Sequence, residues 1–390
     1  MQRIALLFAL FATLLPAHPT RCAGSGGGGD EAPGRTRRAG GPVQIVWEAS
    51  SQQFVGPGVY ARVKKLADGD LGLVYSDGPA VWFRRSSDGG RTWNAPCKVA
   101  EAEPYHYTNA ELLPLQNGEL LYLWNARPRA EGVHPYLIMS ARSRDGGRTW
   151  SDEQIRYAAG VRFTDGCWEP AALQLPDGEI QLYFANEGPY TASDEQEITL
   201  LRSRDNGVSW SEPQTIAFRA GSRDGMPVPI ALREGAEIVV AIEDNGIAGR
   251  FKPVTVRTVN NWQEGVVGGG SPARRHALAA AWQLPDSVYA GAPYLIRLTN
   301  GATLLSVQST AGRSGTNERF ANMQVYAGDA QACGFGEPTM PFAALPPQAQ
   351  ALWNALCQVD ETTVLAVSSI GGLPQQNGIW IVRGRIVAAE

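Results

Sequence analysis

The chain has 390 residues, of which 44% are hydrophobic, and a formal net charge of −4. The charge is spread evenly and forms no basic stripe, which argues against a nucleic-acid partner. Beyond the N-terminal stretch, no apolar run approaches the roughly 20 residues of a membrane-spanning helix, so we expect no transmembrane segment in the mature chain. The length permits two or three domains, although all-β folds of this size often form one unit.

Residues 1–23 predict a secretory signal peptide. Arg3 precedes an apolar run from Ile4 to Leu15, and small and turn-forming residues follow. Residues 24–42 are rich in glycine and predict a disordered spacer. We therefore expect an exported protein, secreted or periplasmic, whose folded domain comprises residues 43–390. Disulfides are possible in such a compartment; Cys333 with Cys357 is the favoured pair, although spacing does not fix the connectivity.

Six segments along the chain share an apolar strand, a tight polar turn and a second apolar strand. Asp-Gly and Asn-Gly turns are typical of β-hairpins, because glycine supplies the positive φ that they require. Each period holds about four short strands, which predicts an all-β fold: a six-bladed β-propeller of four-stranded antiparallel blades. We expect residues 378–387 to pair with 44–49 and close the ring. The turns centre on Gly69, Gly118, Gly178, Gly235, Gly301 and Glu361.

Three octapeptides also recur: SSDGGRTW at 86–93, SRDGGRTW at 143–150 and SRDNGVSW at 203–210. The Asp can accept hydrogen bonds from its own turn, the Gly permits positive φ, and the Trp packs between strands. The octapeptides predict turns between the outer strands of a blade, with polar groups that hydrogen-bond within the turn itself. Degenerate versions are expected at 257–262 and near 323–335. The structural residues are Asp88, Trp93, Asp145, Trp150, Asp205 and Trp210.

The octapeptide resembles the Asp-box, or BNR repeat, of the sialidase superfamily, and the resemblance covers roughly residues 45–385. It implies a six-bladed propeller whose Asp-boxes lie away from the active site. Because the hairpin turns share one end of such a propeller, the start of each inner strand and the end of the next strand meet at the other end. The polar and aromatic residues expected there predict a carbohydrate pocket. The candidate binding residues are Arg62, Asn109, Trp168, Asn186, Met226, Tyr294, Gln308, Trp353 and Asn354.

Two carboxylates fall at that same end. Glu169, in CWEPA, opens an inner strand, and Glu243, in VVAIEDNG, ends a second strand. Glycoside hydrolysis requires one carboxyl group to protonate the leaving oxygen and another to act as base or nucleophile. An apolar setting beside Trp168 and Pro170 would raise the pKa of Glu169 and keep it protonated. The alternative is a pair of strand-end glutamates without a catalytic role.

Three segments of the sequence are similar to those of the exo-α-1,5-L-arabinanases of glycoside hydrolase family 93. The similarity lies in residues 168–187, 223–246 and 292–309. It implies that Glu169 is the general acid/base and Glu243 the nucleophile of a retaining exo-hydrolase. Retention in turn implies carboxyl groups about 5–5.5 Å apart.

Three alternatives remain open: a sialidase, another exo-glycosidase and a non-catalytic glycan-binding propeller. Sialidases use three arginines, beginning with an Arg-Ile-Pro motif; Arg62 stands at that first position without the Ile-Pro, and Arg127, Arg223 and Arg313 could supply further charge. We expect a monomer whose partner is a carbohydrate substrate, with no cofactor and no metal, since no nucleotide, phosphate or metal motif is present. The long segment 262–290 is either a cover for the pocket or a surface insertion.

Overall fold

The computed structural model describes residues 42–247 and 249–389. The predicted signal peptide, and the predicted spacer up to residue 41, lie outside the described residues. The described chain forms six separate four-stranded antiparallel sheets. Each sheet takes its strands in chain order, except that the last sheet also incorporates the first strand. The predicted six-bladed all-β propeller is therefore confirmed.

The first strand, β1, spans Val43–Gly56 and belongs to the last blade. Blade 1 comprises β2 (Val59–Lys65), β3 (Leu71–Asp77), β4 (Ala80–Ser86) and β5 (Cys97–Ala100). Blade 2 comprises β6 (Tyr105–Pro114), β7 (Leu120–Pro128), β8 (Leu137–Ser143) and β9 (Ser151–Ala158). Blade 3 comprises β10 (Cys167–Gln174), β11 (Ile180–Asn186), β12 (Glu197–Ser203) and β13 (Gln214–Ala217).

Blades 4 and 5 follow the same order. Blade 4 comprises β14 (Asp224–Leu232), β15 (Glu237–Asp244), β16 (Lys252–Thr258) and β17 (Arg274–His276). Blade 5 comprises β18 (Ala290–Arg297), β19 (Thr303–Ser309), β20 (Asn322–Gly328) and β21 (Pro338–Thr339). Blade 6 comprises β22 (Gln350–Asp360), β23 (Thr363–Gly371), β24 (Gly378–Ala388) and β1.

Helical structure is limited to short 3₁₀ turns in the connections. These are Phe163–Asp165, Arg233–Gly235, Ala280–Trp282 and Glu318–Phe320. Within the described ranges, no helix has the length and apolar character needed to cross a bilayer.

The ring closes between its first and last strands. β1 pairs antiparallel with β24, with Gln44 opposite Val387 and Glu48 opposite Arg383. This pairing confirms the predicted closure. It gives blade 6 its outer strand from the opposite end of the chain, so the last blade cannot be completed before both ends of the domain are in place.

The predicted hairpin turns join the two innermost strands of each blade. The five turn glycines all adopt positive φ, between 86° and 92°. In the sixth turn, which lacks glycine, the Asp360 carboxylate accepts from the Thr362 N–H at 2.8 Å. All six turns therefore lie at one end of the propeller, here called the turn end; the opposite end, where the inner strands begin, is here called the open end.

Large apolar and aromatic side chains fill the spaces between blades. Tyr122 and Trp124 of β7 are fully buried, and the Tyr122 hydroxyl donates to blade 1 at the carbonyls of Tyr75 (3.2 Å) and Trp82 (3.0 Å). Burying one such apolar side chain contributes about 1.5–3 kcal/mol. The interfaces between sheets therefore hold the ring together and fix where each strand end lies.

The Asp-boxes connect the third and fourth strands of blades 1, 2 and 3, as the sequence predicts. In the second box, Asp145 accepts from the N–H groups of Arg148 (3.0 Å) and Thr149 (2.9 Å). It also accepts from the hydroxyls of Ser143 (2.8 Å) and Thr149 (2.6 Å). These hydrogen bonds, those from Thr149 above all, lower the pKa of Asp145 to about 2. The carboxylate is thus fully used within its own turn.

The degenerate version in blade 4 keeps part of this design. Thr258 accepts from the Trp262 N–H at 2.9 Å, and the buried Trp262 indole donates to the Tyr183 hydroxyl at 3.0 Å. The aspartate is missing, yet the tryptophan still anchors the turn against the preceding blade. The repeat therefore serves the packing of the ring.

The favoured disulfide between Cys333 and Cys357 is wrong. Cys357 is a buried free thiol on β22, and burial raises its pKa to about 12. Cys333 instead lies in the turn after β20 and accepts a hydrogen bond from Arg257 of blade 4 at 3.4 Å. The two residues are close in sequence but face different blade interfaces.

Candidate active site

The open end contains a ring of six residues with an unusual backbone. One residue near the start of each inner strand has positive φ, and each coincides with a register shift typical of a β-bulge. Such a conformation is uncommon outside glycine, and bulges re-aim side chains at functional sites. The six, here called the bulge ring, are Tyr60 (55°), Asn109 (53°), Glu169 (59°), Met226 (50°), Ala292 (46°) and Trp353 (50°).

Side-chain acceptors connect the bulge ring from blade to blade. In three cases, the end of the second strand of one blade supplies an acceptor for the bulge N–H of the next blade. The three acceptors are Ser369 for Tyr60 (2.9 Å), Glu243 for Ala292 (2.6 Å) and Gln308 for Trp353 (2.7 Å).

Blade 3 departs from this pattern, because its bulge residue itself supplies the acceptor. By register, its equivalent second-strand position is Ala185, opposite Trp168, and alanine offers no side-chain acceptor. The Glu169 carboxylate takes that place and accepts from the Met226 N–H at 2.9 Å. Both candidate catalytic glutamates are therefore held by a backbone N–H of the following blade.

The two carboxylates converge on one dipeptide, Gly225–Met226. Glu243 pairs in register with Gly225, and a Cβ added to Gly225 would lie 3.1 Å from Glu243 Oε1. Met226 is the residue whose N–H binds Glu169. On the other side, a Cβ on Gly291 would lie only 2.4 Å from Glu243 Oε2. A Cβ at Gly291 would thus collide with the Glu243 carboxylate, and a Cβ at Gly225 would crowd both Glu243 and Gln196, whose Nε2 would lie 2.8 Å away.

Burial and mutual repulsion perturb both carboxylates. The pKa of Glu243 is raised to about 8, first by burial and then by the charge of Glu169. Burial also raises the pKa of Glu169, against the lowering effects of the Met226 N–H, Arg127 and Arg223. Two like carboxyls placed in this way disfavour the state in which both are ionised. Arg127 and Arg223 lower the pKa of Glu169, and Arg223 also lowers that of Glu243.

An aromatic and cationic wall stands beside Glu169. The Arg127 guanidinium lies over the Trp168 ring, 4.7 Å from its centroid, and donates to Asn109 at 2.5 Å. The Trp168 indole donates to Glu187 at 2.9 Å, and Glu187 is also paired with Arg223. This chain of contacts fixes the orientation of Trp168 next to the candidate acid.

The floor of the site is apolar. Tyr60, Met226, Ala292 and Trp353 pack together as one cluster, and the Tyr60 hydroxyl contacts the Met226 sulfur at 3.5 Å. Four of the six members of the bulge ring therefore form a low-dielectric floor. Such a floor strengthens electrostatic interactions between the carboxylates and a bound ligand.

The structure places the nine predicted binding residues at different positions relative to the bulge ring. Asn109, Met226 and Trp353 are in the bulge ring with Glu169, Trp168 stands in the wall, and Gln308 lies on the second-strand side. Arg62 and Tyr294 lie two residues beyond their bulges, buried, with the Arg62 guanidinium 4.9 Å from the Tyr294 ring centroid. Neither Asn186 nor Asn354 is on the ring: Asn186 donates to Tyr157 (2.9 Å) and Thr199 (3.1 Å), and Asn354 is buried without a side-chain partner.

The arginines considered for a carboxylate-binding triad are already engaged. Arg62 donates to the carbonyls of Trp353 (2.9 Å) and Asn354 (3.3 Å) and is 2% exposed. Arg127 and Arg223 are held as described above. Arg313 donates to a set of backbone carbonyls that includes Phe320 (2.7 Å) and Pro346 (2.7 Å).

The predicted site residues leave out Tyr60, Ala292 and Tyr289. Ala292 completes the bulge ring, and the buried Tyr289 hydroxyl receives a hydrogen bond from Gln308 at 2.7 Å near Glu243. A signal for Ala292 was present in the sequence. Each of the first five bulge residues precedes its turn glycine by the same nine positions, as Tyr60 precedes Gly69 and Ala292 precedes Gly301. No comparable spacing marks Tyr289.

The segment 262–290 is mostly built into the edge of the propeller. It supplies β17 and bridges to blade 3 through Val267 and to blade 5 through Leu278. Its last residues bring Tyr289 to the site. Among the described residues, no group of three or more His, Cys, Asp or Glu side chains is placed to hold a metal ion.

Comparison with known proteins supports the fold assignment. Residues 118–233 match the family described as BNR repeat-like domain. No curated protein sequence matches the chain. A solved protein of unknown function from Dyadobacter fermentans is similar over 89% of this chain and 98% of its own, with a TM-score of 0.65 and 15% identity.

Two solved enzymes are similar at the same level of fold. The GH93 α-L-arabinofuranosidase of Fusarium graminearum, solved with arabinobiose, matches over 90% of this chain and 98% of its own, with a TM-score of 0.63 and 18% identity. The NanB sialidase of Streptococcus pneumoniae matches over 89% and 70%, with a TM-score of 0.60 and 11% identity. The chain is thus a six-bladed propeller with a BNR repeat-like region, and its structural neighbours include arabinofuranosidases and sialidases.

Proposed function

We propose that this protein is an exported, exo-acting glycoside hydrolase that releases neutral sugar units, of the arabinan type, from the ends of glycan chains. The observation that carries the proposal is the convergence of Glu169 and Glu243 on Gly225–Met226, with both pKa values raised. A carboxylate pair that shares one proton matches the requirement of a retaining mechanism for one acid and one nucleophile. Export rests on the predicted signal peptide at residues 1–23.

In the proposed reaction, the Glu243 carboxylate attacks the anomeric carbon while Glu169 gives its proton to the leaving glycosidic oxygen. Glu169, now ionised, then removes a proton from water, and that water displaces Glu243 from the glycosyl-enzyme. The reactive form requires the shared proton on Glu169. Because burial and the charge of Glu169 raise the pKa of Glu243 to about 8, while Arg127 lowers that of Glu169, binding of the sugar has to be accompanied by transfer of the proton to Glu169.

The arginines favour a neutral sugar over a sialoside. A sialic acid carboxylate would need guanidinium groups that can turn toward it. The guanidinium of Arg62 is buried against backbone carbonyls, while Arg127 and Arg223 are bound to Asn109 and Glu187. These contacts support a neutral, arabinan-type substrate. The similarity of residues 168–187 and 223–246 to family 93 supports the same substrate.

The test compares hydrolysis of linear α-1,5-arabinan and of a sialyl-oligosaccharide by the wild type, Glu169→Gln and Glu243→Gln. We expect arabinan cleavage by the wild type and a loss of at least about 1,000-fold in kcat for Glu243→Gln. Glu234→Gln, an exposed glutamate at the turn end, is the matched control and should keep full activity. Cleavage of the sialoside alone would establish the sialidase alternative, and glycan binding without turnover would establish a lectin.

Azide separates the roles of the two glutamates. With an activated aryl arabinoside, azide should rescue Glu243→Ala and give the glycosyl azide of inverted configuration, because the small anion replaces the lost nucleophile. In Glu169→Ala, azide should attack the glycosyl-enzyme and give the retained product. The opposite pair of products would show that Glu169 is the nucleophile.

A further inference from the structure

The wall around the open end has one low point. The connection between the second and third strands of blade 1 consists of Gly78 and Pro79 alone, because β3 ends at Asp77 and β4 begins at Ala80. The equivalent connections of the other blades are all longer. They comprise residues 129–136, 187–196, 245–251, 310–321 and 372–377. A chain-like ligand therefore meets the least obstruction over blade 1.

A depression of about 500 Å³ lies at this low point. It is formed by blades 6, 1 and 2, and its volume is in the range of small-ligand sites. We call it the blade-1 groove, and its lining includes Val59, Asp77, His106, Arg127, Trp353 and Asn377.

The groove adjoins the candidate active site through two side chains, although neither glutamate lines it. Trp353 lines the groove and is also a member of the bulge ring that packs with Met226 and Ala292. Arg127 lines the groove and lies over Trp168, the residue next to Glu169. A ligand that reaches from the carboxylates into the groove would contact the same two side chains along its path.

The chemistry of the groove suits an uncharged polyol. Its two charged side chains, Asp77 and Arg127, have opposite signs. His106, Gln350 and Asn377 add hydrogen-bonding groups, and Trp353 adds an aromatic ring. Few placed polar groups around an apolar surface are typical of sites that fix the orientation of a small ligand.

We infer that the blade-1 groove binds the sugar units that lie beyond the cleaved linkage, so that the enzyme prefers longer chains to short substrates. This inference rests on the proposed function and assigns the groove as the part of the same site that selects chain length. The glycan would run from Glu169 and Glu243, across Arg127 and Trp353, and leave the propeller over blade 1.

The test measures kcat/KM for linear α-1,5-arabino-oligosaccharides of two to six units and for a short aryl arabinofuranoside. In the wild type, kcat/KM should rise at least about tenfold with chain length. Val59→Trp places a large ring in the groove at a side chain that is 40% exposed. We expect this variant to lose most of the rise, so that the ratio of long-chain to aryl activity falls about tenfold.

Val208→Trp is the matched control. Val208 is 73% exposed in the third Asp-box, at the turn end, and its substitution should leave the ratio as in the wild type. If Val59→Trp does not fold, His106→Trp fills the same groove from an exposed position on β6 and is expected to give the same fall.

The two proposals fail in different ways. If the wild type cleaves no arabinoside of any length, the proposed function is wrong. If it cleaves arabinosides but kcat/KM does not depend on chain length, or if a folded groove variant keeps the wild-type ratio, the function stands and the assignment of the groove is overturned.

Discussion

The turn end and the open end of the propeller use carboxylates in opposite ways. At the turn end, Asp145 is surrounded by donors from its own octapeptide, and its pKa is lowered to about 2. At the open end, Glu243 is buried beside a second carboxylate, and its pKa is raised to about 8. The first arrangement stabilises the charged form and the fold. The second disfavours the charged form, so the site retains a proton to a higher pH.

Among the substitutions that keep both glutamates, the largest expected effect is at Gly291, which has Gly118 as its counterpart at the turn end. Gly291→Ala places a Cβ 2.4 Å from Glu243 Oε2, so the carboxylate must move. We expect kcat to fall at least 100-fold, about 2.7 kcal/mol, with the fold retained. In Gly118→Ala nothing lies within 4 Å of the new Cβ, but φ is 86°. That variant should lose about 1–2 kcal/mol of stability, because a Cβ is disfavoured in the left-handed region, and should keep its kcat.

Kinetics on arabinan and denaturant unfolding of both glycine variants distinguish these effects. A Gly291→Ala enzyme with wild-type kcat would show that activity does not depend on the position of the Glu243 carboxylate. Gly291 would then not differ from Gly118 in its effect on activity.

The next effect is the pH dependence of stability. A raised pKa means that the folded state binds more protons than the unfolded state between about pH 4.5 and pH 8, so stability falls as pH rises through that window. Glu243→Gln cannot ionise and still accepts the Ala292 N–H. Since one pKa unit corresponds to about 1.4 kcal/mol and the pair shares the shift, we expect the variant to gain about 2 kcal/mol over the wild type at pH 8 relative to pH 5.

Thermal unfolding from pH 4 to pH 9 measures this difference. Glu234→Gln, at an exposed turn-end position, should follow the wild-type curve throughout. If the Glu243→Gln curve runs parallel to the wild-type curve at all pH values, folding does not raise the pKa of Glu243.

The smallest effect is at the Asp-box. Asp145→Ala removes four hydrogen bonds in an exposed turn and should cost about 1 kcal/mol of stability at pH 7, with kcat unchanged. The sign is opposite to that of Glu243: a lowered pKa contributes stability above about pH 4, and this contribution is lost as pH falls toward 2. Urea unfolding should therefore show a smaller difference between the variant and the wild type at pH 2 than at pH 7.

Thr149→Val removes one of those hydrogen bonds, from the hydroxyl to Asp145 Oδ2, and should cost less than Asp145→Ala. A folded Asp145→Ala protein that is stable but inactive would contradict the division of labour between the two ends.

Much of the fold was readable from the sequence because its signals are local. The turn glycines, the octapeptides and the closing strands are defined by residues that contact one another or by strict repetition, and each was confirmed. The strand directions also predicted that Glu169 and Glu243 lie at the open end. The disulfide prediction was wrong because proximity in sequence does not show which blade interface a side chain faces, as Cys333 and Cys357 illustrate.

The sequence by itself determined the architecture, the end at which the inner strands begin, and the positions of the two glutamates in their blades. Only the tertiary structure decided how those positions are used. The bulges that turn six residues toward the axis depend on strand pairing, and the N–H groups that hold Glu169 and Glu243 belong to the next blade. The raised pKa values arise from burial and from the approach of two carboxylates far apart in sequence, which no local pattern encodes.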